Sequence, residues 1–228
     1  MLTRDFLMKA DCKTAFGDIE ESILWSPEQR SASLAATLAG RPDQGPIWLF
    51  GYGSLIWNPA FEYEEAAPAT LTGWHRNFCL RLTAGRGTAC HPGRMLGLTE
   101  GGETAGVAFR LPDNGLEDEL ALVWKREMIT GCYLPTWCPL LLDDGRQINA
   151  LVFIMDSRHP LYEANSSAEI IAPLIAAASG PLGSNAQYLF SLEEAMEERG
   201  MRDDGVAELA KKVRDHLTLK ANLSTGLA

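Results

Sequence analysis

The spacing of apolar and polar positions divides the chain into three regions. Residues 1–45 and 160–220 carry the apolar spacing of helices, whereas residues 46–156 carry short apolar runs separated by turn residues. One segment with helical spacing, near residue 120, interrupts the middle region. This order of helices, strands, one inserted helix, strands and helices predicts an α+β fold with an antiparallel or mixed sheet.

Four segments carry the residue pattern of a helical capping box. They lie at residues 26–29, 114–117, 166–169 and 191–194. The first has Pro27 at the first helical position, where proline is favoured. Gly40 and Gly131 are typical of helix ends. The inserted helix is therefore expected over residues 116–130.

Short apolar runs and glycine-containing turns predict the strands. The fully apolar run 47–50 predicts a buried strand, and the mixed run 71–81 predicts a longer one. Glycine-containing turns at residues 100–103 and 143–145 each lie between two apolar runs. Each of these turns therefore predicts a β-hairpin.

The regions predict one main domain with helical flanks. We expect a helical N-terminal arm, residues 1–45, packed on a main domain of residues 46–220. Residues 41–46 contain two prolines and a glycine and are typical of a linker or turn. The polar residues 221–228 predict a frayed tail.

Composition and charge exclude several classes of partner. The formal net charge of -10, without a cluster of lysine and arginine, argues against binding to nucleic acid or to an anionic membrane. No apolar run is long enough to span a bilayer, and the first residues are not typical of a signal peptide. The five cysteines are scattered and odd in number, which predicts reduced thiols and a cytoplasmic protein.

Gly51 and Gly53 flank Tyr52 directly after the first predicted strand. Glycines at these positions permit a positive φ or a close approach of the backbone to a ligand. Outward-facing N–H groups of such a loop can hold a carboxylate or an oxyanion. A strand-ending turn with a packed tyrosine explains the same pattern, and both interpretations remain open from the motif alone.

Three familiar glycine motifs do not fit this loop. Ile56 occupies the position where a dinucleotide-binding fingerprint needs its third glycine, and the chain has no Gly-Lys-Ser/Thr of a phosphate-binding Walker loop. Tyr52 and Ile56 flank Ser54 where a hydrolase nucleophile elbow needs two glycines. The sequence therefore offers no nucleotide-binding or serine-nucleophile motif here.

The inserted helix places a glutamate on its apolar side. Its apolar stripe comprises Leu116, Leu120, Val123 and Trp124, and the next position of that stripe is Glu127. Charged side chains are rarely buried unless they are paired. Burial raises the pKa of a carboxyl group, and a raised pKa suits a general base that works near neutral pH.

A structural role explains Glu127 equally well from the pattern alone. A glutamate at the end of a helix can simply pair with Lys125, Arg126 or a neighbouring helix. Because the helix is inserted between strands, its inner face should look into the sheet or barrel. The glycine loop after the first strand is expected at the mouth of that sheet, so we expect Glu127 and the loop to lie close together.

Six segments between residues 47 and 190 resemble, in the same order, those of the γ-glutamylcyclotransferases of the ChaC type. They are FGYGSLIW at 50–57, GWHR at 73–76, PGR at 92–94, GVAF at 106–109, the pair Arg126-Glu127 with Gly131 and Tyr133, and GSNAQYL at 183–189. The N-terminal arm also resembles that of bacterial members. Cys132 is a departure, because many relatives have a second glycine before the tyrosine.

The resemblance implies a compact α+β fold around a small, partly open β-barrel. It also implies a carbon–nitrogen lyase that cleaves glutathione into 5-oxoproline and Cys-Gly, with Glu127 as the acid–base residue. The implied substrate-binding loop consists of Phe50, Gly51, Tyr52, Gly53, Ser54 and Leu55.

The implied reaction agrees with the residue content. The α-amine of the substrate attacks its own γ-carbonyl, so the enzyme needs no nucleophile, metal or other cofactor of its own. One carboxylate can take a proton from the attacking amine and return it to the departing amine. Backbone N–H groups of the loop can hold either the γ-carbonyl oxygen or the α-carboxylate, and the sequence does not separate these two roles.

Other polar residues carry weaker functional signals. Tyr188 can donate a hydrogen bond to substrate or be a core tyrosine, and Arg94 can meet a substrate carboxylate or close a turn, with the turn favoured. Cys90 and His91 are neighbours whose side chains point apart in an extended chain, so a catalytic dyad is not expected. The spacing of cysteines and histidines does not match a zinc site.

Two rival functions remain. The first is a cyclotransferase with the same mechanism that acts on other γ-glutamyl amino acids or amines. The second is a non-catalytic sensor that binds γ-glutamyl compounds with the loop. Glu127 argues against the sensor, because a binding protein has no need of a costly buried base. Glutathione is the expected partner, and the sequence does not indicate the oligomeric state.

Overall fold

The computed structural model describes residues 3–9 and 19–225, with side chains through 222. The helices are α1 (Arg4–Met8), α2 (Pro27–Ala39), α3 (Leu116–Glu127), α4 (Ala168–Ala177), α5 (Asn185–Glu197) and α6 (Asp204–Thr225). The strands are β1 (Trp48–Gly51), β2 (Glu65–Leu82), β3 (Gly93–Arg110), β4 (Tyr133–Leu142), β5 (Gln147–Met155), β6 (Ser179–Gly180) and β7 (Gly183–Ser184).

The first five strands form a closed barrel in the order β1-β3-β2-β4-β5. β1 is antiparallel to β3 and parallel to β5, and β4 is antiparallel to both β2 and β5. The barrel is therefore mixed, and α3 is inserted between β3 and β4. These features confirm the predicted α+β fold with a small mixed barrel and an inserted helix. The barrel is closed, however, and not partly open as the resemblance implied.

One predicted hairpin is present and the other is wrong. β4 and β5 pair in antiparallel register on either side of the turn that contains Gly145, as expected. At residues 100–103, in contrast, β3 continues without a reversal. Gly101 and Gly102 take positive φ values of 104° and 66° inside this strand. The glycine pair therefore allows an irregular backbone conformation within one long strand.

Only the first of the four predicted capping boxes is present. Ser26 accepts a hydrogen bond from the Gln29 amide, and the Gln29 side chain accepts one from the Ser26 amide. α3 begins after Gly115, which has φ 79° and no side-chain cap. Ser167 precedes α4 without capping it, and residues 191–194 lie inside α5. The other three predictions are therefore wrong.

The chain separates into two compact units. The first contains the described parts of residues 1–12, 20–77 and 97–162, and the second contains those of residues 13–19, 78–96 and 163–228. The predicted division at residue 46 remains a prediction. Within the second unit, α6 continues to Thr225, and residues 226–228 of the predicted tail lie outside the described residues.

The first unit has an apolar core inside the barrel and beneath α3. β1 is buried along its whole length, and the inward side chains of β5 are nearly inaccessible. Trp124 of α3 packs edge-on against Phe153 of β5, with ring centroids 5.3 Å apart. None of the helices in residues 3–9 and 19–225 combines the length and apolarity needed to cross a membrane.

The described cysteines carry free thiols. Cys79, Cys132 and Cys138 are buried and Cys90 is exposed, whereas Cys12 lies outside the described residues. Burial raises the pKa of the Cys138 thiol to about 11, so this thiol stays protonated at neutral pH.

Candidate functional site

The glycine loop begins where β1 leaves the barrel. A Cβ atom on Gly51 would lie 2.9 Å from the Phe109 ring and 3.0 Å from the Leu55 Cβ atom. A Cβ atom on Gly106 of β3 would lie 2.6 Å from the Gly51 carbonyl oxygen and 2.6 Å from the Phe50 ring. The absence of side chains at these glycines therefore lets β1, β3 and the loop pack closely.

Gly53 starts a single 3₁₀ turn over residues 54–56. The Ile56 amide donates to the Gly53 carbonyl at 2.9 Å. The first amides of a helical turn have no partner within that turn, and here they belong to Gly53, Ser54 and Leu55. Neither Gly51 nor Gly53 takes a positive φ. Gly51 is therefore needed for close packing and not for a left-handed backbone conformation.

Tyr52 has a structural partner for its hydroxyl proton. Its hydroxyl donates a 2.6 Å hydrogen bond to the carbonyl oxygen of Phe153 in β5, and the residue is buried. Its carbonyl oxygen accepts a 2.8 Å hydrogen bond from Nε of Arg76. Because the Tyr52 hydroxyl already donates its proton within the protein, Tyr52 is better suited to line the pocket than to donate a hydrogen bond to substrate.

Arg76 ties the loop to the neighbouring strand. This buried arginine of β2 also donates through Nη2 to the carbonyl oxygen of Ala105 in β3. The guanidinium thus bridges the Tyr52 carbonyl and β3. Buried backbone carbonyl groups need such partners, because an unsatisfied polar group in the interior is costly.

α3 buries the face that its sequence predicts, although it ends at Glu127 and not at residue 130. Leu120, Val123 and Trp124 are buried, and the side chain of Glu127 retains 18% of its accessible surface. Glu127 is the last helical residue, and Met128 forms the C-cap. The carboxylate therefore sits at the end of the buried stripe with a limited opening to solvent.

The Arg126 guanidinium lies between Glu127 and the glycine loop. Its Nε lies 3.0 Å from Oε1 of Glu127, and its Nη2 donates a 2.8 Å hydrogen bond to Oγ of Ser54. Its Nη1 donates to the carbonyl oxygens of Asn58 and Pro59. Only 4% of the Arg126 side chain is exposed. The structure therefore joins the candidate base to the candidate substrate loop through one buried cation.

The pKa values of two glutamates of α3, the buried Glu119 and the partly exposed Glu127, are shifted in opposite directions. Burial raises the pKa of Glu127, and the charge and hydrogen bond of Arg126 offset only part of this effect. Hydrogen bonds from Arg4 hold the pKa of Glu119 below its ordinary value. Glu119 also accepts a hydrogen bond from the Glu62 amide. Glu119 is thus an ionised structural group, whereas Glu127 has the raised pKa that suits proton transfer.

The segment after α3 is held by the N-terminal part of the chain. The Trp25 amide donates a 2.8 Å hydrogen bond to the Ile129 carbonyl oxygen. Gly131 has φ 64°, and a Cβ atom there would lie 2.0 Å from the Trp25 indole. The sequence pattern predicted that Gly131 ends the helix. In the structure, the missing side chain of Gly131 instead leaves space for the Trp25 ring. Cys132, the departure from the family pattern, is buried, and its carbonyl oxygen accepts from the Asp156 amide.

Arg94 lies in the second unit, where Asn185 holds its backbone on both sides. The Asn185 side chain accepts from the Arg94 amide at 2.7 Å and donates to its carbonyl oxygen at 2.8 Å. The Arg94 side chain is 8% exposed, and its nearest carboxylate, that of Glu163, is 3.9 Å away. Its Nε is buried without a hydrogen-bond partner among the described residues, and burial lowers its pKa.

Tyr188 is a buried residue of α5 in the same unit. Its ring packs edge-on against Phe78 at 6.5 Å and lies beneath the guanidinium of Arg86 at 5.8 Å. These contacts fit the core role that the sequence left open. Cys90 and His91 are both exposed, and the amide of His91 donates to Oγ1 of Thr88.

Sequence reasoning missed three residues of the site. Arg76 and Arg126 were both named within family segments, and Arg126 also as a possible partner of Glu127, but neither was assigned a link to the glycine loop. The third, Trp25, lies in the predicted arm and carried no signal. Among the residues that the structure describes, no group of three or more histidine, cysteine, aspartate or glutamate side chains is placed to hold a metal ion.

Comparisons with known proteins identify similar chains. The chain is 72% identical over 214 residues to a glutathione-specific γ-glutamylcyclotransferase of Escherichia coli K12, covering 94% of this chain and 93% of that protein. It is 35% identical over 154 residues to glutathione-specific γ-glutamylcyclotransferase 1 of Danio rerio, covering 66% and 79% of the two chains.

Structure and family comparisons point the same way. The fold resembles a crystal structure of a glutathione-specific γ-glutamyl cyclotransferase from yeast, with a TM-score of 0.69, 22% identity, and coverage of 76% of this chain and 97% of that one. This likeness concerns the fold. Residues 47–216 match the family described as ChaC-like protein. The predicted resemblance is thereby confirmed, and the chain belongs to the ChaC-like protein family.

Proposed function

We propose that this protein cleaves glutathione into 5-oxoproline and Cys-Gly in the cytoplasm. The observation that carries the proposal is a largely desolvated carboxyl group of raised pKa, that of Glu127, joined by one guanidinium to the loop after β1. The names of the E. coli and Danio rerio relatives support glutathione as the substrate.

The chemistry needs positioning and proton transfer. The α-amine of the γ-glutamyl group attacks the γ-carbonyl carbon, a five-membered lactam forms, and the bond to the cysteine nitrogen breaks. Folding the γ-glutamyl chain into this geometry can account for several kcal/mol of the barrier. Glu127 takes one proton from the attacking amine and returns it to the departing cysteine amine, so no proton is gained or lost overall.

The loop supplies the binding groups in this proposal. Phe50, Gly51 and Tyr52 form its packed base, and the amides of Gly53, Ser54 and Leu55 are the donors that the 3₁₀ turn leaves available. Amides of this kind stabilise negative charge on an oxygen. They can serve the γ-carbonyl oxygen as charge develops there, or the α-carboxylate of the bound substrate.

Arg94 and Tyr188 are retained as proposed substrate contacts. For Arg94 the support is the buried Nε without a partner among the described residues, because a buried donor of this kind favours binding of an anion such as a carboxylate. Tyr188 is the second proposed contact, and its ring packs against Phe78 and Arg86 in the same unit.

Purified protein is expected to release 5-oxoproline and Cys-Gly from glutathione in equal amounts, and to act more slowly on γ-Glu-Ala. A product assay on both substrates, run before and after exhaustive chelation, measures this. Activity on γ-Glu-Ala alone would favour the broader cyclotransferase, and tight binding of glutathione without product would favour the sensor. Activity lost on chelation and restored by a metal ion would contradict the expectation that no cofactor is needed.

A further inference from the structure

The contacts of Arg126 are unusual for a residue next to a candidate base. Neighbours in a helix project about 100° apart, so adjacent side chains do not face each other within a regular helix. At the end of α3 they do meet, with Nε of Arg126 3.0 Å from the Glu127 carboxylate. The remaining nitrogens of the guanidinium turn away from Glu127 and toward the loop region.

Four acceptors share this guanidinium. They are Oε1 of Glu127, Oγ of Ser54 and the carbonyl oxygens of Asn58 and Pro59. Three of the four belong to the loop and the residues that follow it. A planar guanidinium holds its donors in a fixed fork, so its acceptors are held in a fixed relation to one another.

We propose that Arg126 is a positioning residue that fixes Glu127 relative to the substrate loop and holds a positive charge against its carboxylate. The inference rests on the proposed function and deepens it, because it assigns a role in the same site to a residue that need not touch substrate. The geometry carries it, since one buried cation contacts both the candidate base and the hydroxyl of Ser54.

The positive charge of Arg126 also lowers the pKa of Glu127. Arg126 is the charged group that opposes the effect of burial on the Glu127 carboxyl. Burial favours the protonated acid, and Arg126 opposes it through its charge and a hydrogen bond. A protonated Glu127 cannot accept the proton of the attacking amine, so the arginine enlarges the fraction of active enzyme at neutral pH.

The test is the pH profile of kcat/KM for glutathione in Arg126→Gln and Arg126→Lys. The neutral glutamine removes the opposing charge, so the acidic limb of the profile should move upward by about 1–3 pH units. Lysine keeps the charge but has one nitrogen and cannot span four acceptors. We expect its acidic limb to stay in place while kcat falls about 10–100-fold through loss of positioning.

Arg76→Gln is the matched control. Arg76 is also buried and also holds the loop, through the Tyr52 carbonyl, whereas the charge that lowers the pKa of Glu127 comes from Arg126. Its substitution should lower the rate without moving the acidic limb. A limb that moves in Arg126→Gln and stays in Arg76→Gln therefore separates an effect on Glu127 from general disturbance of the loop.

Several results would overturn the inference. One such result is an Arg126→Gln enzyme whose acidic limb coincides with that of the wild type. Another is an Arg126→Lys enzyme that has the wild-type kcat or a displaced acidic limb. If circular dichroism shows that Arg126→Gln is unfolded, the lysine variant decides alone by the same criteria. A wild-type protein that releases no 5-oxoproline overturns the proposed function and this inference with it, whereas an active wild type with coinciding limbs overturns only the inference.

Discussion

Replacing Glu127 with glutamine is expected to abolish release of 5-oxoproline from glutathione and to leave glutathione binding measurable. The amide has nearly the size of the carboxylic acid but cannot accept and return a proton. General acid–base catalysis contributes a factor of about 10²–10⁴, and this contribution should be lost in kcat. The measurements are product formation in single-turnover conditions and binding of glutathione by calorimetry.

The same substitution should not unfold the protein. Burial raises the pKa of Glu127 above its unfolded value, so ionising the carboxyl group costs more in the folded state. This cost is absent below the unfolded pKa and grows as the pH rises above it, which means that ionised Glu127 weakens the fold at neutral pH. A neutral glutamine avoids this cost, and we expect a melting temperature at neutral pH no lower than that of the wild type.

Glu119→Gln is the control for this experiment. Glu119 lies two turns earlier on α3, is buried, and pairs with Arg4. Its pKa is held below the ordinary value, so its ionised form stabilises the fold above the unfolded pKa, and this stability is lost as the pH falls. Its loss should lower the melting temperature and leave kcat unchanged. A Glu127→Gln enzyme with a near-normal rate would remove Glu127 from the mechanism.

The apolar stripe of α3 could be predicted because its cause is local. Leu120, Val123 and Trp124 recur at helical spacing, and the same spacing leads to Glu127. The sequence offered two interpretations of that glutamate, a base and a partner of Arg126. In the structure the carboxylate has both a raised pKa and the arginine contact, so the two interpretations do not exclude each other.

Residues whose partners are distant in sequence could not be predicted. Glu119 is buried because Arg4 lies against it, and no local pattern connects positions 115 residues apart. Gly131 is a second example. Its position in the sequence suggests a helix end, but the structure requires glycine there because the Trp25 ring lies against it. Gly101 and Gly102 led to a wrong hairpin prediction for a related reason. Glycines with positive φ occur both in turns and in irregular strands, and the local sequence does not distinguish the two.

Gly106→Ala is expected to reduce activity strongly by displacing the substrate loop. The new methyl group would lie 2.6 Å from the Gly51 carbonyl oxygen and 2.6 Å from the ring of Phe50, which is fully buried. Overpacking of this kind costs about 1–3 kcal/mol, which exceeds the gain of about 0.4–1 kcal/mol from restricting the unfolded chain. A displacement of the loop by about 1 Å can lower kcat/KM about 100-fold.

Gly40→Ala provides the comparison, because its new methyl group would lie 3.7 Å from the nearest backbone atoms, an ordinary contact. Thermal melts and the kinetics of 5-oxoproline release should show lower stability and lower kcat/KM for Gly106→Ala and little change in either for Gly40→Ala. A Gly106→Ala enzyme with wild-type kcat/KM would mean that the loop tolerates displacement of its base. The close contact of β3 with Gly51 would then contribute to packing alone and not to the positioning of substrate.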